Sequence, residues 1–90
     1  MSRIVHFEIP VDEPEKIMAF YTAAFGWSFQ KFGDENYWLI NTGAENEHGI
    51  NGGLMKKNDP HQPPTNVIGV QDIDAAITSV QGAGGMIVVD

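Results

Sequence analysis

The sequence predicts an α+β fold: a βαβββ module followed by an incomplete second module, βαβ. Three observations carry that prediction. Short segments alternate apolar and polar residues with the period of a half-buried strand. Two other segments carry apolar residues at helical spacing, each opened by a capping residue and closed by glycine. The order of elements then restarts after a proline-rich stretch, so the later part of the chain repeats the beginning of the earlier part in element order, with slight residue identity.

The first strand is "RIVHFEI". Val5, Phe7 and Ile9 share one face and His6 and Glu8 the other, and Pro10 is expected to end it. In "DEPEKIMAFYTAAFG", Asp12 is the expected N-cap with Glu15 completing a capping box, and Pro14 suits the first turn. Ile17, Phe20, Tyr21, Ala24 and Phe25 form one apolar stripe over a helix at 13–25, and Gly26 stops it. "WSFQKF" and "YWLINT" alternate on either side of the turn "GDEN" and read as an antiparallel pair. "GAENEHG" is a polar loop. "INGGLM" is a fourth strand, whose paired glycines suggest close approach of another backbone or a ligand.

"KKNDPHQPP" reads as a linker. Beyond it "NVIGV" is a strand, and "DIDAAITSV" is a helix capped by Asp72 with Ile73, Ile77 and Val80 on its buried face. "GAGG" ends that helix and "MIVVD" is a last strand. The whole is one domain, residues 1–90, with the first module at 1–56, the linker at 57–64 and the partial second module at 65–90.

Composition narrows the function. An apolar fraction of 42% suits a folded domain, and at this length a core is feasible but thin, burying roughly 60% of the unfolded surface. Twelve acidic residues against five basic ones give a net charge of −7. Such a chain repels a nucleic-acid backbone and an anionic membrane surface. The lack of cysteine removes disulfides, thiolate nucleophiles and cysteine zinc sites. No apolar run approaches the ~20 residues of a membrane span, and no leader pattern opens the chain, so a cytoplasmic protein is expected. Serine nucleophile elbows and HExxH are absent, and "GAGG" follows a helix and precedes a strand, the reverse of the dinucleotide-binding order.

"HFEIP", "DEPEKIMAFYTAAFGW", "GINGGL" and "VIGVQDIDAAITSVQGAGGMIV" together resemble the vicinal oxygen chelate superfamily, which includes glyoxalase I, bleomycin-resistance proteins and extradiol dioxygenases. The likeness is greatest to small glyoxalase-related bacterial proteins, with "FYTAAFGW" the most specific piece. The resemblance implies paired βαβββ modules whose mixed, curved sheets form a cup for a ligand or divalent metal, helices on the outer side. His6 and Glu8 then point into the cup. Metal-using members take ligands from the first and fourth strands of each module. His6 fits the first position, whereas the fourth-strand region offers Asn51, and the second module begins with Thr65 and Asn66. A complete second module would run about 30 residues further through two more strands, by typical strand lengths. One such ligand does not hold a metal ion tightly. No cofactor is therefore expected, with a divalent metal as the alternative.

The expected function is small-molecule binding in an apolar cup, the ligand a small apolar or aromatic molecule. The alternative is a metal-dependent lyase, isomerase or dioxygenase whose site is completed across a dimer. The candidate ligand-binding residues are His6, Glu8, Trp27, Trp38, Asn51 and Gly53, with His6 also the candidate metal ligand. His6 has three readings: metal ligand, general base oriented by Glu8, or hydrogen-bonded lining. A pocket carboxylate at Glu8 requires a partner. Of each adjacent pair among Trp27, Phe29, Tyr37 and Trp38, alternation sends one side chain to the helix and one to the cup. Tyr21 and Phe25 are packing residues, and His48 and His61 are solvated loop residues. A sheet that ended at "MIVVD" would expose an apolar, β-branched edge. A second subunit would cover it, giving a homodimer with strands or modules exchanged about the linker, or the missing strands belong to a longer chain.

Overall fold

A computed structural model describes residues 2–88. In chain order the elements are β1 (Arg3–Val11), α1 (Pro14–Phe25), β2 (Ser28–Lys31), β3 (Tyr37–Asn41), β4 (Gly52–Lys56), β5 (Thr65–Gly69) and α2 (Ile73–Gly82). The strands form one mixed sheet in the order β2-β3-β4-β1-β5. β1 runs parallel to β4 and antiparallel to β5, and β2, β3 and β4 are joined antiparallel. The first module is thus a complete βαβββ unit, and β5 extends its sheet by one strand.

The alternation of β1 decides the two faces. Phe7 pairs with Gly52 and Ile9 with Leu54, which puts these two beneath α1, whereas Val5 is 53% exposed and lies beside α2. Ile40 and Leu54 lie on that side and are the two fully buried apolar side chains among the described residues. Tyr21 of α1 stacks on Trp27 with ring centroids 4.6 Å apart, and Trp27 meets Phe7 at 6.2 Å, tying the helix to the sheet. The opposite face, carrying His6 and Glu8, has no helix over it among the described residues.

Gly26 closes α1 in the left-handed region at φ 73°, its N–H donating to the carbonyl of Thr22. Asp72 caps α2 and accepts from the N–H groups of Asp74 and Ala75.

Several expectations need correction. Pro10 does not end β1, which runs on to Val11 opposite Met55 and Lys56. Pairing with β5 stops at Glu8, so proline falls where β1 has become an edge on that side and its missing N–H is tolerated. Because the strand runs on, the N-cap of α1 moves from Asp12 to Glu13, with no side-chain cap bond. Asp12 lies 3.8 Å from the Lys57 ammonium instead.

The second module departs more. Ile73 and Val80 of α2 are 64% and 44% exposed rather than packed; α1 too has no fully buried residue, with Phe20 and Phe25 57% and 64% exposed, but its Tyr21 stacks on Trp27. Met86–Val88 form no strand, and Val89 and Asp90 lie outside the described residues. One topological reason explains both results. In the first module β2 pairs only with β3, never with β1. The "MIVVD" segment is the β2 equivalent of the second module, and its β3 equivalent is not among the 90 residues. α2 likewise follows a single strand of its own module, β5, where α1 belongs to a module of four strands.

Candidate functional site

The open face of the sheet gathers a hydrogen-bonded chain of three side chains. His6 and Glu8 stand two residues apart on β1, and Tyr37 opens β3 on the far side of β4. The Tyr37 hydroxyl donates to Glu8 Oε2 at 3.0 Å. A phenol has one proton, so its oxygen accepts from His6 Nε2, also at 3.0 Å, and that nitrogen carries the hydrogen. His6 Nε2 and Glu8 Oε2 are 3.8 Å apart, bridged by the hydroxyl. Glu8 thereby has the partner that a pocket carboxylate requires.

Gly53 makes the chain geometrically feasible. It pairs with Glu8 on one side and Leu39 on the other, and the Tyr37 ring lies across it. A Cβ at position 53 would overlap the Tyr37 hydroxyl and the ring carbon that bears it. Gly52 serves the opposite face, where an added Cβ would stand 2.6 Å from the Phe7 carbonyl oxygen and 2.7 Å from its ring. The paired glycines thus admit one aromatic side chain on each side of β4.

Burial, followed by the hydrogen bond to Glu8 and the charge of Glu8, pushes the Tyr37 hydroxyl up to about 12 from 10.0. The folded state therefore holds this proton more tightly than the unfolded chain. The stability it contributes is complete below pH 10 and drains away between pH 10 and about 12. With Tyr21 replaced by Phe to leave one tyrosine, tyrosinate absorbance is expected to rise in that upper window. A midpoint near 10 would remove the link to Glu8.

A cavity of ≈ 500 Å³ adjoins His6, lined also by Ser28, Gln30, Leu39, Asn41 and Asn51. A second hollow of ≈ 470 Å³ lies past Tyr37 and Leu39, against Phe32 and Glu35. The cavity beside His6 is lined by polar and apolar groups together, and the hollow against Phe32 and Leu39 mainly by apolar ones.

Of the candidate residues, His6 and Glu8 stand on the open face as alternation implied. Trp27 and Trp38 do not. Trp27 packs against Tyr21, Phe25 and Phe7, and Trp38 stands on the α1 side with the Lys31 ammonium 5.9 Å from its ring centre. Pairing of β3 with β4 sends Tyr37 and Leu39 to the open face, and so Trp38 to the other. Asn51 borders the cavity, but its Oδ1 accepts from the Thr42 N–H at 2.9 Å and from the Thr42 hydroxyl at 3.2 Å, tying the ends of the 42–51 loop. Gly53 lies under Tyr37. His48 and His61 are exposed loop residues. Ser28 and Gln30 join the site without having been singled out for it, and Tyr37 is the member of the Tyr37–Trp38 pair that faces it. For Tyr37 the available signal was a tyrosine in a strand that would pair with a double-glycine strand.

A resident divalent ion does not fit the donors of one chain. Among the described residues no three His, Cys, Asp or Glu side chains converge. His6 and Glu8 share the hydroxyl of Tyr37, and a phenol that holds its proton this tightly is a poor metal ligand.

The architecture is consistent with a small βαβββ module of the glyoxalase and bleomycin-resistance fold. Residues 3–43, from the start of β1 to just past β3, match the family described as bleomycin resistance protein-like N-terminal, which supports the vicinal oxygen chelate superfamily. No curated protein matches the chain. No helix among the described residues is long and apolar enough to cross a membrane.

Proposed function

We propose that this protein binds a small molecule on the open face of its sheet, against His6, Tyr37 and Glu8. The observation that carries the reading is the His6–Tyr37–Glu8 chain itself, set half-open beside a cavity of ≈ 500 Å³. Polar groups linked in this way have directions fixed in advance, so a ligand meets a prearranged set of donors and acceptors and loses less entropy on binding. Leu39 and Phe32 offer apolar surface on the same face, and Ser28, Gln30 and Asn41 offer hydrogen bonds. The matching ligand is a small apolar or aromatic molecule carrying a hydrogen-bonding group. The reading includes a cytoplasmic homodimer.

The test is a nuclear magnetic resonance screen of the labelled protein against a panel of small aromatic amines, phenols and heterocycles. Binders are expected to shift the amides of His6, Gln30, Tyr37 and Leu39. Tyr37→Phe or His6→Ala is expected to weaken them about tenfold, the worth of one hydrogen bond to a charged group. Binders that gather only at the groove beside Trp38 would overturn the assignment, as would none at all. A metal-dependent lyase, isomerase or dioxygenase reaction would need further donors from a second subunit. Near-stoichiometric metal in protein purified without chelators, lost in His6→Ala, would replace the metal-free reading.

A further inference from the structure

We propose that the groove between the start of α1 and the β3–β4 end of the sheet binds a small planar aromatic carboxylate, its ring against Trp38 and its charge beside Lys56. This groove lies on the opposite face of the sheet from the His6–Tyr37–Glu8 chain and is independent of it. All of its lining falls between residues 13 and 56, in the first module, and β1 separates β4 from β5.

Strand register builds the floor. Lys31 stands opposite Trp38 and Trp38 opposite Leu54, so the three share the α1 face. Lys56 lies two residues beyond Leu54 on the same strand and shares that face too. Its N–H donates to the Asn36 carbonyl at 3.2 Å, which closes the end of the β3–β4 pair and sets Asn36 beside it. Pro14 and Lys16, in the first turn of α1, make the facing wall. A cavity of ≈ 520 Å³ remains between them, within the ~300–1,000 Å³ range of small-molecule sites.

Trp38 supplies the aromatic surface. Trp27 is packed by Tyr21, Phe25 and Phe7, whereas no ring among the described residues stacks on Trp38, which is half-buried at the groove. An indole in that position offers a planar ligand a face for offset stacking.

Charge selects the ligand's other half. The chain carries a net −7 with five basic residues, yet Lys16 and Lys56 line this groove and the Lys31 ammonium lies 5.9 Å from the Trp38 ring centre. Two carboxylates, Glu13 and Glu15, share the rim. Glu13 is 3.9 Å from Lys16, and Asp12 is 3.8 Å from the neighbouring Lys57. Lys31 and Lys56 have no acidic partner among the described residues. Charges elsewhere on the surface are screened beyond about 8 Å at physiological salt, so the nearest ammonium groups decide the sign of the ligand. A neutral ring would leave Lys56 unused, and a bare inorganic anion would leave Trp38 unused. An aromatic carboxylate meets both.

The test is a nuclear magnetic resonance titration of the labelled protein with naphthoate, its neutral carboxamide and inorganic phosphate. Naphthoate is expected to shift the Trp38 indole N–H and the amides of Glu15, Asn36 and Lys56, and to leave those of His6 and Glu8 in place. The carboxamide is expected to bind about threefold more weakly, the worth of one exposed charge pair. Lys56→Gln, at an exposed position, is expected to keep the fold and to bring naphthoate to the level of the carboxamide. Trp38→Leu is expected to weaken both about tenfold through the lost stacking. Equal affinity for naphthoate and its carboxamide would overturn the site, as would an unmoved Trp38 indole at millimolar ligand. Phosphate that moves the same signals as strongly as naphthoate would remove the role of Trp38 and overturn it too. Shifts confined to His6 and Glu8 would overturn this site while leaving the open face as the binding surface.

Discussion

Leu54→Ala is expected to remove about 2–5 kcal/mol of unfolding free energy, the larger part of what this small domain has. Leu54 sits at the middle of β4, flanked by Ile9 of β1 and Trp38 of β3 on the α1 side, with none of its surface exposed. Only Ile40 is comparably buried among the described residues. Truncating a fully enclosed leucine costs about 2–5 kcal/mol, the higher values where the surroundings cannot collapse into the space. A β4 held between two strands cannot move inward without breaking both ladders. Domains of this size are stable by roughly 5–15 kcal/mol in total, and one with two fully buried side chains belongs near the bottom of that range. Urea unfolding followed by the fluorescence of Trp27 and Trp38 checks the result. The wild-type transition is expected to lose most of its native baseline in Leu54→Ala, whereas Met86→Ala, at an exposed position, moves the midpoint within about 0.5 kcal/mol. Equal effects at the two positions would mean that the packing under α1 does not hold the fold.

Local pattern sufficed for the order of elements in the first module. Alternation in β1 put Phe7 and Ile9 under α1, though not Val5, and His6 and Glu8 followed as a pair on the other face. Gly26 marked the end of α1 because only the left-handed conformation was wanted there. The orientation of "YWLI" was not legible in the same way. Four apolar residues in a row carry no alternation, and register with β4 alone decides that Tyr37 and Leu39 face outward and Trp38 and Ile40 inward. That register is non-local, so Trp38 stood among the ligand residues and Tyr37 did not.

The second module failed for a different reason. The apolar stripe of Ile73, Ile77 and Val80 reports what α2 requires, not whether the strands it requires exist. The same holds for "MIVVD", whose composition is right for a strand but whose partner in the repeated order is missing.

Gly53→Ala is expected to dismantle the candidate site while leaving the fold in place. A Cβ at 53 has nowhere to go except into the space of the Tyr37 hydroxyl. The backbone at 53 is not in the left-handed region, so alanine is acceptable there and gains about 0.5–1 kcal/mol from the unfolded chain. The ring of Tyr37 can swing away, whereas β1 and β4 are held by their ladder. Both hydrogen bonds of the phenol are then lost, and Glu8 and His6 are left to solvent. Tyrosinate absorbance in the Tyr21→Phe background is expected to fall from about 12 towards 10.0, and the stability lost between those pH values disappears with it. Binders found on the open face weaken as they do in Tyr37→Phe. Gly52→Ala behaves differently, because the atom it meets first is the Phe7 carbonyl oxygen, which cannot swing, and its cost appears as lost stability. A double-mutant cycle separates the two roles. In a Tyr37→Ala background Gly53→Ala becomes neutral or mildly stabilising, since the side chain it displaces is already gone, while Gly52→Ala remains as damaging as before. If Gly53→Ala keeps the tyrosine midpoint near 12, the phenol does not lie across β4, and the His6–Tyr37–Glu8 chain fails with it.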